Sequence, residues 1–178
     1  MYITTDPKGF NYKAYLYEDI GPLEDYIDLI DLLNSASSED TVYIYINTGG
    51  GYLDTTISIV EAIRQSQADV VTVAEGRVQS AGSIIFFSAH MHVIKDFCEI
   101  MLHDASGGFG GKFNEVEGGF AAKRKVLSEL YNTVYTPYFT KKEIKKILEG
   151  KDLHLSATDI RERMDKVFGE EEEEKKDD

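Results

Sequence analysis

The chain has 178 residues, 42% of them hydrophobic, with 11 Tyr, 9 Phe and no Trp, which is enough apolar material for one compact domain and excludes wholesale disorder. Its formal net charge is −13; the last nine residues hold seven acids and two lysines, so −8 remains on the rest, and no basic stripe interleaved with aromatics offsets it, which argues against nucleic-acid partners. Cys98 is the single cysteine, which excludes an internal disulfide and a Cys-rich zinc site and fits a small buried apolar residue. No apolar run approaches the ~20 residues of a membrane span, and the N-terminus lacks a basic start followed by an apolar stretch. A soluble, cytoplasmic protein without membrane contact is expected.

Residues 1–13 are polar, carry Pro7 and Gly9, and read as a short arm or loop. A strand is predicted near Tyr15 to Tyr17. Leu23, Tyr26, Ile27, Ile30 and Leu33 then recur at helical spacing, predicting a helix to about Asn34. The run Thr41 to Asn47, TVYIYIN, has the β-branched and aromatic content of a strand covered on both faces. Gly49, Gly50 and Gly51 stop it. Leu53, Ile57, Val60 and Ile63 give the next segment one apolar face as far as about Gln65, and Asp69 to Glu75 reads as another buried strand. Strand, helix and strand in succession make a βαβ unit, which favours a parallel sheet.

A helix from about Ser80 to Ala89 follows, then short strands at Val93 to Lys95 and Glu99 to His103. Gly107, Gly108, Gly110 and Gly111 surround Phe109, too much glycine for an isolated strand. A long helix is predicted from Ala121 to Tyr138, its start loosened by Gly118-Gly119, with shorter helices at Lys141 to Leu148 and Ser156 to Met164. Ser156-x-x-Asp159 has the form of a capping box with Asp in place of Glu or Gln. The expected organisation is an arm over 1–13, a domain over 14–169 and a solvated, disordered acidic tail over 170–178.

Three segments offer chemistry. Peptide-bond hydrolysis needs a nucleophile, a base and donors for the developing oxyanion. The glycine turn after the first buried strand lets backbone amides approach a ligand; with no GxxxxGK[ST] and no GxGxxG, it is not a nucleotide loop. Gly76 to Ser83 places Ser80 in a strand-to-helix turn, in outline a nucleophile elbow, although a serine there also serves as a helix cap or packing residue. Ser83 is an alternative nucleophile with fewer free amides beside it. His103 ends an apolar strand. His90 and His92 stand near a strand edge and His154 in a loop, with no HExxH or similar pair, so no metal and no cofactor is expected.

In this order the segments resemble the proteolytic subunit of the Clp protease family. YIYINTGGG is similar to YINSPGG, GRVQSAGS to GQAASMGA, IMLHDASGGFGG to VMIHQPLGGYQG, and KDLHLSA to RDRFLSA. The likeness covers about Tyr15 to Met164 in register, with the link between Ser80 and His103 about two residues shorter. It implies an α/β fold of the Clp and crotonase type, with repeated ββα-type units and a protruding strand-helix handle. It also implies a serine endopeptidase with Ser80 as nucleophile, His103 as general base and acid, Asp152 as the carboxylate orienting the histidine, and the amides of Gly51 and Ala81 as oxyanion hole. Unfolded polypeptides would be its substrates, a homo-oligomeric ring, either a heptamer or a stacked double ring, its assembly, and an AAA+ unfoldase its partner. Asp104 is the nearest rival to Asp152, but adjacent strand residues point to opposite faces.

The chain departs from the family at Gly49, where proline normally stands, so a looser turn is expected, and at Gly118-Gly119, where the handle helix begins. Two other readings share the fold: a crotonase-like enzyme acting on acyl-CoA thioesters, which needs no serine nucleophile, and a ring-forming homologue that does not cleave.

Overall fold

The computed structural model describes residues 2–6, 9–108 and 110–174, so Pro7, Phe109 and residues 175–178 of the acidic tail lie outside the described residues. Its sheet is built around the predicted βαβ unit: β3 (Thr41–Thr48), α2 (Leu53–Gln65) and β4 (Asp69–Gln79), with β3 and β4 parallel. On β3 the period-two pattern buries Val42, Ile44 and Ile46 completely. Its other face is only half-covered, against the expectation of burial on both sides: Tyr43 and Tyr45 are intermediate, and Tyr15 stacks on Tyr45 with ring centroids 4.9 Å apart.

The N-terminal residues form strand where loop was expected. β1 (Tyr2–Asp6) pairs antiparallel with β2 (Gly9–Leu16), and β2 lies parallel to β3. A polar segment with little strand signal of its own is held here by the ladder its neighbours offer. A single 3-10 turn, Leu23–Tyr26, leads into α1 (Ile27–Ser35), which buries Leu29 and Leu33.

β4 is long enough to serve two partners. Its first half pairs with β5 (Met91–Ile94) and its last residues with β6 (Glu99–Leu102), both parallel, and β6 pairs antiparallel with β7 (Leu153–Ser156). His154 therefore sits on a strand, not in a loop, with Nδ1 2.7 Å from Glu99 Oε1. Between β4 and β5 runs α3 (Ala81–Ser88), every residue of it buried. Cys98 is buried as expected, and burial pushes its thiol up.

α4 (Phe113–Tyr135) begins eight residues before its predicted start and takes Gly118 and Gly119 into its body. Its buried residues, Leu127, Tyr131, Val134 and Tyr135, all lie in the second half. Its start is exposed, Phe113 being 96% exposed. α5 (Lys141–Leu148) follows Thr140, whose side chain accepts from the Glu143 amide in a capping box. α6 (Ala157–Glu174) opens on the predicted box: Ser156 N–H and Oγ–H both donate to Asp159 Oδ2, at 2.8 and 2.6 Å. It continues through Glu174, so residues 170–174, expected to be disordered, are helical.

One buried polar contact predicts acid sensitivity. His92 lies on β5 among Phe86, Phe87 and Tyr138, with Nδ1 2.8 Å from Thr72 Oγ1 and Nε2 2.8 Å from Tyr138 Oη. Burial, and secondarily the neighbouring His90, lowers its pKa to about 4. Between that value and the ordinary 6.5 the unfolded chain binds the proton and the folded chain does not, so stability falls as pH drops through this window. The expected loss from this group is of order 3 kcal/mol by pH 4. Urea unfolding of wild type and His92→Gln at pH 7 and pH 4.5 checks it: the variant should lose less stability on acidification.

Candidate active site

Ser80 is the single residue between β4 and α3, and the geometry there is unusual. Its φ is 53° and ψ −119°, and it is the only non-glycine residue with positive φ among the described residues. Such backbone costs about 1–3 kcal/mol and persists only where its surroundings hold it. Here Ser80 N–H donates to Met101 O at 2.8 Å, and Ser83 Oγ–H donates to Ser80 O at 2.7 Å. Ser83 Oγ is also 3.0 Å from Tyr135 Oη, whose phenol burial pushes far up. The Ser80 side chain does not cap α3. Its Oγ lies 2.7 Å from His103 Nε2 instead.

His103 reaches this position because it follows β6 directly and β6 pairs with the end of β4. Tyr131 Oη donates to His103 O at 2.6 Å, and burial pushes that phenol up, so it remains a donor. Asp104 is turned away: Arg124 Nη1 contacts both of its oxygens, at 2.9 and 2.8 Å, and also donates to Leu148 O.

Asp152 is near but not engaged. The last pair of the β6–β7 ladder is Leu102 with Leu153, and one residue beyond it on each side stand His103 and Asp152. Asp152 is exposed and makes no hydrogen bond to His103 among the described residues.

The glycine turn closes the other side. Gly50 N–H donates to Thr48 Oγ1 at 3.1 Å, Ile20 N–H to Gly50 O at 2.6 Å, and Tyr52 N–H to Ile20 O at 2.8 Å. The turn expected to be loose without its proline is thus anchored by Ile20, which is 1% exposed. Gly50 packs so closely on the serine that a Cβ there would stand 2.6 Å from Ser80 Cβ and 3.2 Å from Ala81 N. Neither Gly51 N–H nor Ala81 N–H donates to an acceptor among the described residues. Ala81 opens α3, where the first amides have no intrahelical partner.

A cavity of about 500 Å³ lies over these groups, lined by Gly51, Ser80, Ala81 and His103 and walled by Leu53, Ile84 and Met101. A larger concavity, about 640 Å³, lies between residues 136–140 and α6. It holds an Arg163–Glu143 pair but no serine or cysteine, so chemistry rather than size selects the smaller one. Among the side chains of the site cavity that sequence reasoning missed are Asp54, Lys123 and Tyr131. Asp54 could have been found from its place just after the glycine turn. Lys123 and Tyr131 arrive from α4 and carry no local signal.

The mixed, mostly parallel sheet, the β4–α3 elbow and the projecting helix make this a Clp-type α/β fold. The Clp protease family model matches residues 23–167, and the chain belongs to that family. It is similar to the ATP-dependent Clp protease proteolytic subunit of Streptococcus gordonii, 30% identical over 122 residues, which cover 62% of each chain. To the subunit of the same name from Streptococcus pneumoniae it is 30% identical over 110 residues, 58% of this chain and 56% of that one. The chain thus matches about three fifths of these relatives' length.

Proposed function

We propose that this chain is a serine endopeptidase that hydrolyses peptide bonds of unfolded polypeptides, with Ser80 as nucleophile, His103 as general base and acid, and Asp152 as the carboxylate that orients the histidine. The observation that carries the proposal is the 2.7 Å contact between Ser80 Oγ and His103 Nε2. In the reaction Ser80 Oγ attacks the substrate carbonyl carbon while its proton passes to His103 Nε2. The carbonyl oxygen becomes an oxyanion and takes the unspent amides of Gly51 and Ala81. His103 then protonates the departing amine, and a water activated by the same histidine releases the acyl group from Ser80. An acyl-CoA enzyme of the crotonase type would gain nothing from a hydrogen-bonded serine.

The exposed first half of α4, with Phe113 and Phe120, suits a surface buried on assembly, which supports a homo-oligomeric ring. The relatives' names describe ATP-dependent proteases, which supports an AAA+ unfoldase as partner.

The test is covalent labelling. A fluorophosphonate should modify the wild type, with the adduct mapped to Ser80 by mass spectrometry; an unlabelled protein, or an adduct on Ser83, ends the assignment. For the carboxylate, Asp152→Asn should lower kcat/KM on a short peptide by about 10²-fold or more, a milder effect than where the carboxylate is already bonded to the histidine. Asp104→Asn should cost less than Asp152→Asn, since Arg124 already holds Asp104. The reverse order would make Asp104 the partner.

A further inference from the structure

We infer that Lys123 gives the site a preference for an acidic side chain on the substrate residue whose carbonyl Ser80 attacks, an inference that rests on the peptidase reading above. Besides the His103 imidazole, the acidic and basic side chains lining the cavity are Asp54 and Lys123. Asp54 stands in the first turn of α2 and Lys123 on α4, and the two form an ion pair in the cavity lining. The pair is asymmetric. The Asp54 side chain is 83% exposed and that of Lys123 40%, so the carboxylate stands mainly in water while the Lys123 side chain lies more against the cavity wall.

An ammonium has three donors and Asp54 accepts from one of them, leaving the others for a substrate carboxylate. The N-terminal end of α2 beside Asp54 adds potential of the same sign. A substrate lysine, by contrast, would meet the Lys123 charge and gain only a carboxylate screened by water. Arg124, the next cation along α4, is spent on Asp104 and Leu148 O and does not share this role. The apolar walls at Leu53, Ile84 and Met101 suit the methylenes of glutamate between the reacting carbonyl and Lys123.

The test compares short fluorogenic peptides that differ only in the residue before the cleaved bond, Glu, Gln or Lys, at low salt. Wild type should cleave the Glu peptide about fivefold faster than the Gln peptide in kcat/KM, and the Lys peptide slowest. In Lys123→Met the Glu to Gln ratio should fall to about one, in Lys123→Arg it should persist, and in Lys123→Glu the Lys peptide should overtake the Glu peptide. A wild type that favours Gln or Lys, or a ratio unchanged in Lys123→Met, overturns the inference. The wild-type profile decides it even if a variant misfolds. Labelling of Ser80 by fluorophosphonate with a flat peptide profile removes this inference alone; absence of labelling removes the peptidase reading and this inference with it.

Discussion

Ser80→Ala is expected to lower peptide hydrolysis by about 10⁴-fold or more while leaving the fold in place. The Ser80 side chain makes one hydrogen bond, to His103 Nε2, and does not cap α3, so removing Oγ deletes the nucleophile without orphaning a buried backbone group. The bonds that hold the turn, Ser80 N–H to Met101 O and Ser83 Oγ–H to Ser80 O, use backbone atoms that the substitution keeps. Thermal unfolding should therefore shift by no more than about 1 kcal/mol in stability. Ser83→Ala is the instructive contrast. Its hydroxyl is fully buried and spent on Ser80 O and Tyr135 Oη, so its loss should cost about 1–3 kcal/mol of stability and retain the fluorophosphonate adduct on Ser80. A Ser80→Ala protein with more than a tenth of wild-type kcat/KM would refute the nucleophile.

Gly51→Ala should damage the fold and the site together. Gly51 has φ of 144°, and a Cβ there would stand 2.1 Å from Ile20 O and 2.7 Å from Ile20 N. Neither contact can be relieved by a rotamer change, because both are backbone atoms, and Ile20 is itself held by Gly50 O and by Tyr52 N–H. Relief requires the turn and the Ile20 segment to part, which breaks those bonds and withdraws the Gly51 amide from the cavity. The expected loss of stability is about 3 kcal/mol or more. Where the variant still folds, hydrolysis should fall by about 10²-fold as one oxyanion donor moves. Denaturant unfolding and peptide kinetics measure the two effects separately, and a variant with wild-type values for both would show that the turn tolerates a side chain.

The elements that were legible share a physical cause. β3, α2, β4 and α3 are nearly self-sufficient in signal: apolar residues recur at period two in β3 and on one face of α2, while β4 and α3 are continuous apolar runs, and glycines interrupt the pattern after β3. The Ser156 and Asp159 box was equally readable, because a cap involves residues only three apart. Of the N-terminal strands only the end of β2 was legible, in the strand predicted near Tyr15 to Tyr17. β2 is a strand because β3 offers it an edge, and that edge belongs to residues about 30 positions away. The start of α4 was misplaced for a related reason, since glycines at 118 and 119 lower local helix propensity while the packed second half of the helix carries the first.

The candidate site divides in the same way. From the sequence alone came the chemistry available: a serine in a strand-to-helix turn, a histidine ending a strand, a glycine turn, and through family likeness a carboxylate at 152. Proximity was decided by tertiary structure. Ser80 and His103 meet because β6 lies beside the end of β4, and Asp104 is diverted because α4 carries Arg124 past it. The Asp54 and Lys123 pair, 69 residues apart, exists only because α2 and α4 converge at one cavity. Local pattern encodes which residue faces the core and which turns a chain, since those depend on neighbours a few positions off. Distances between side chains remote in sequence depend on how whole elements pack, and no window of sequence contains that.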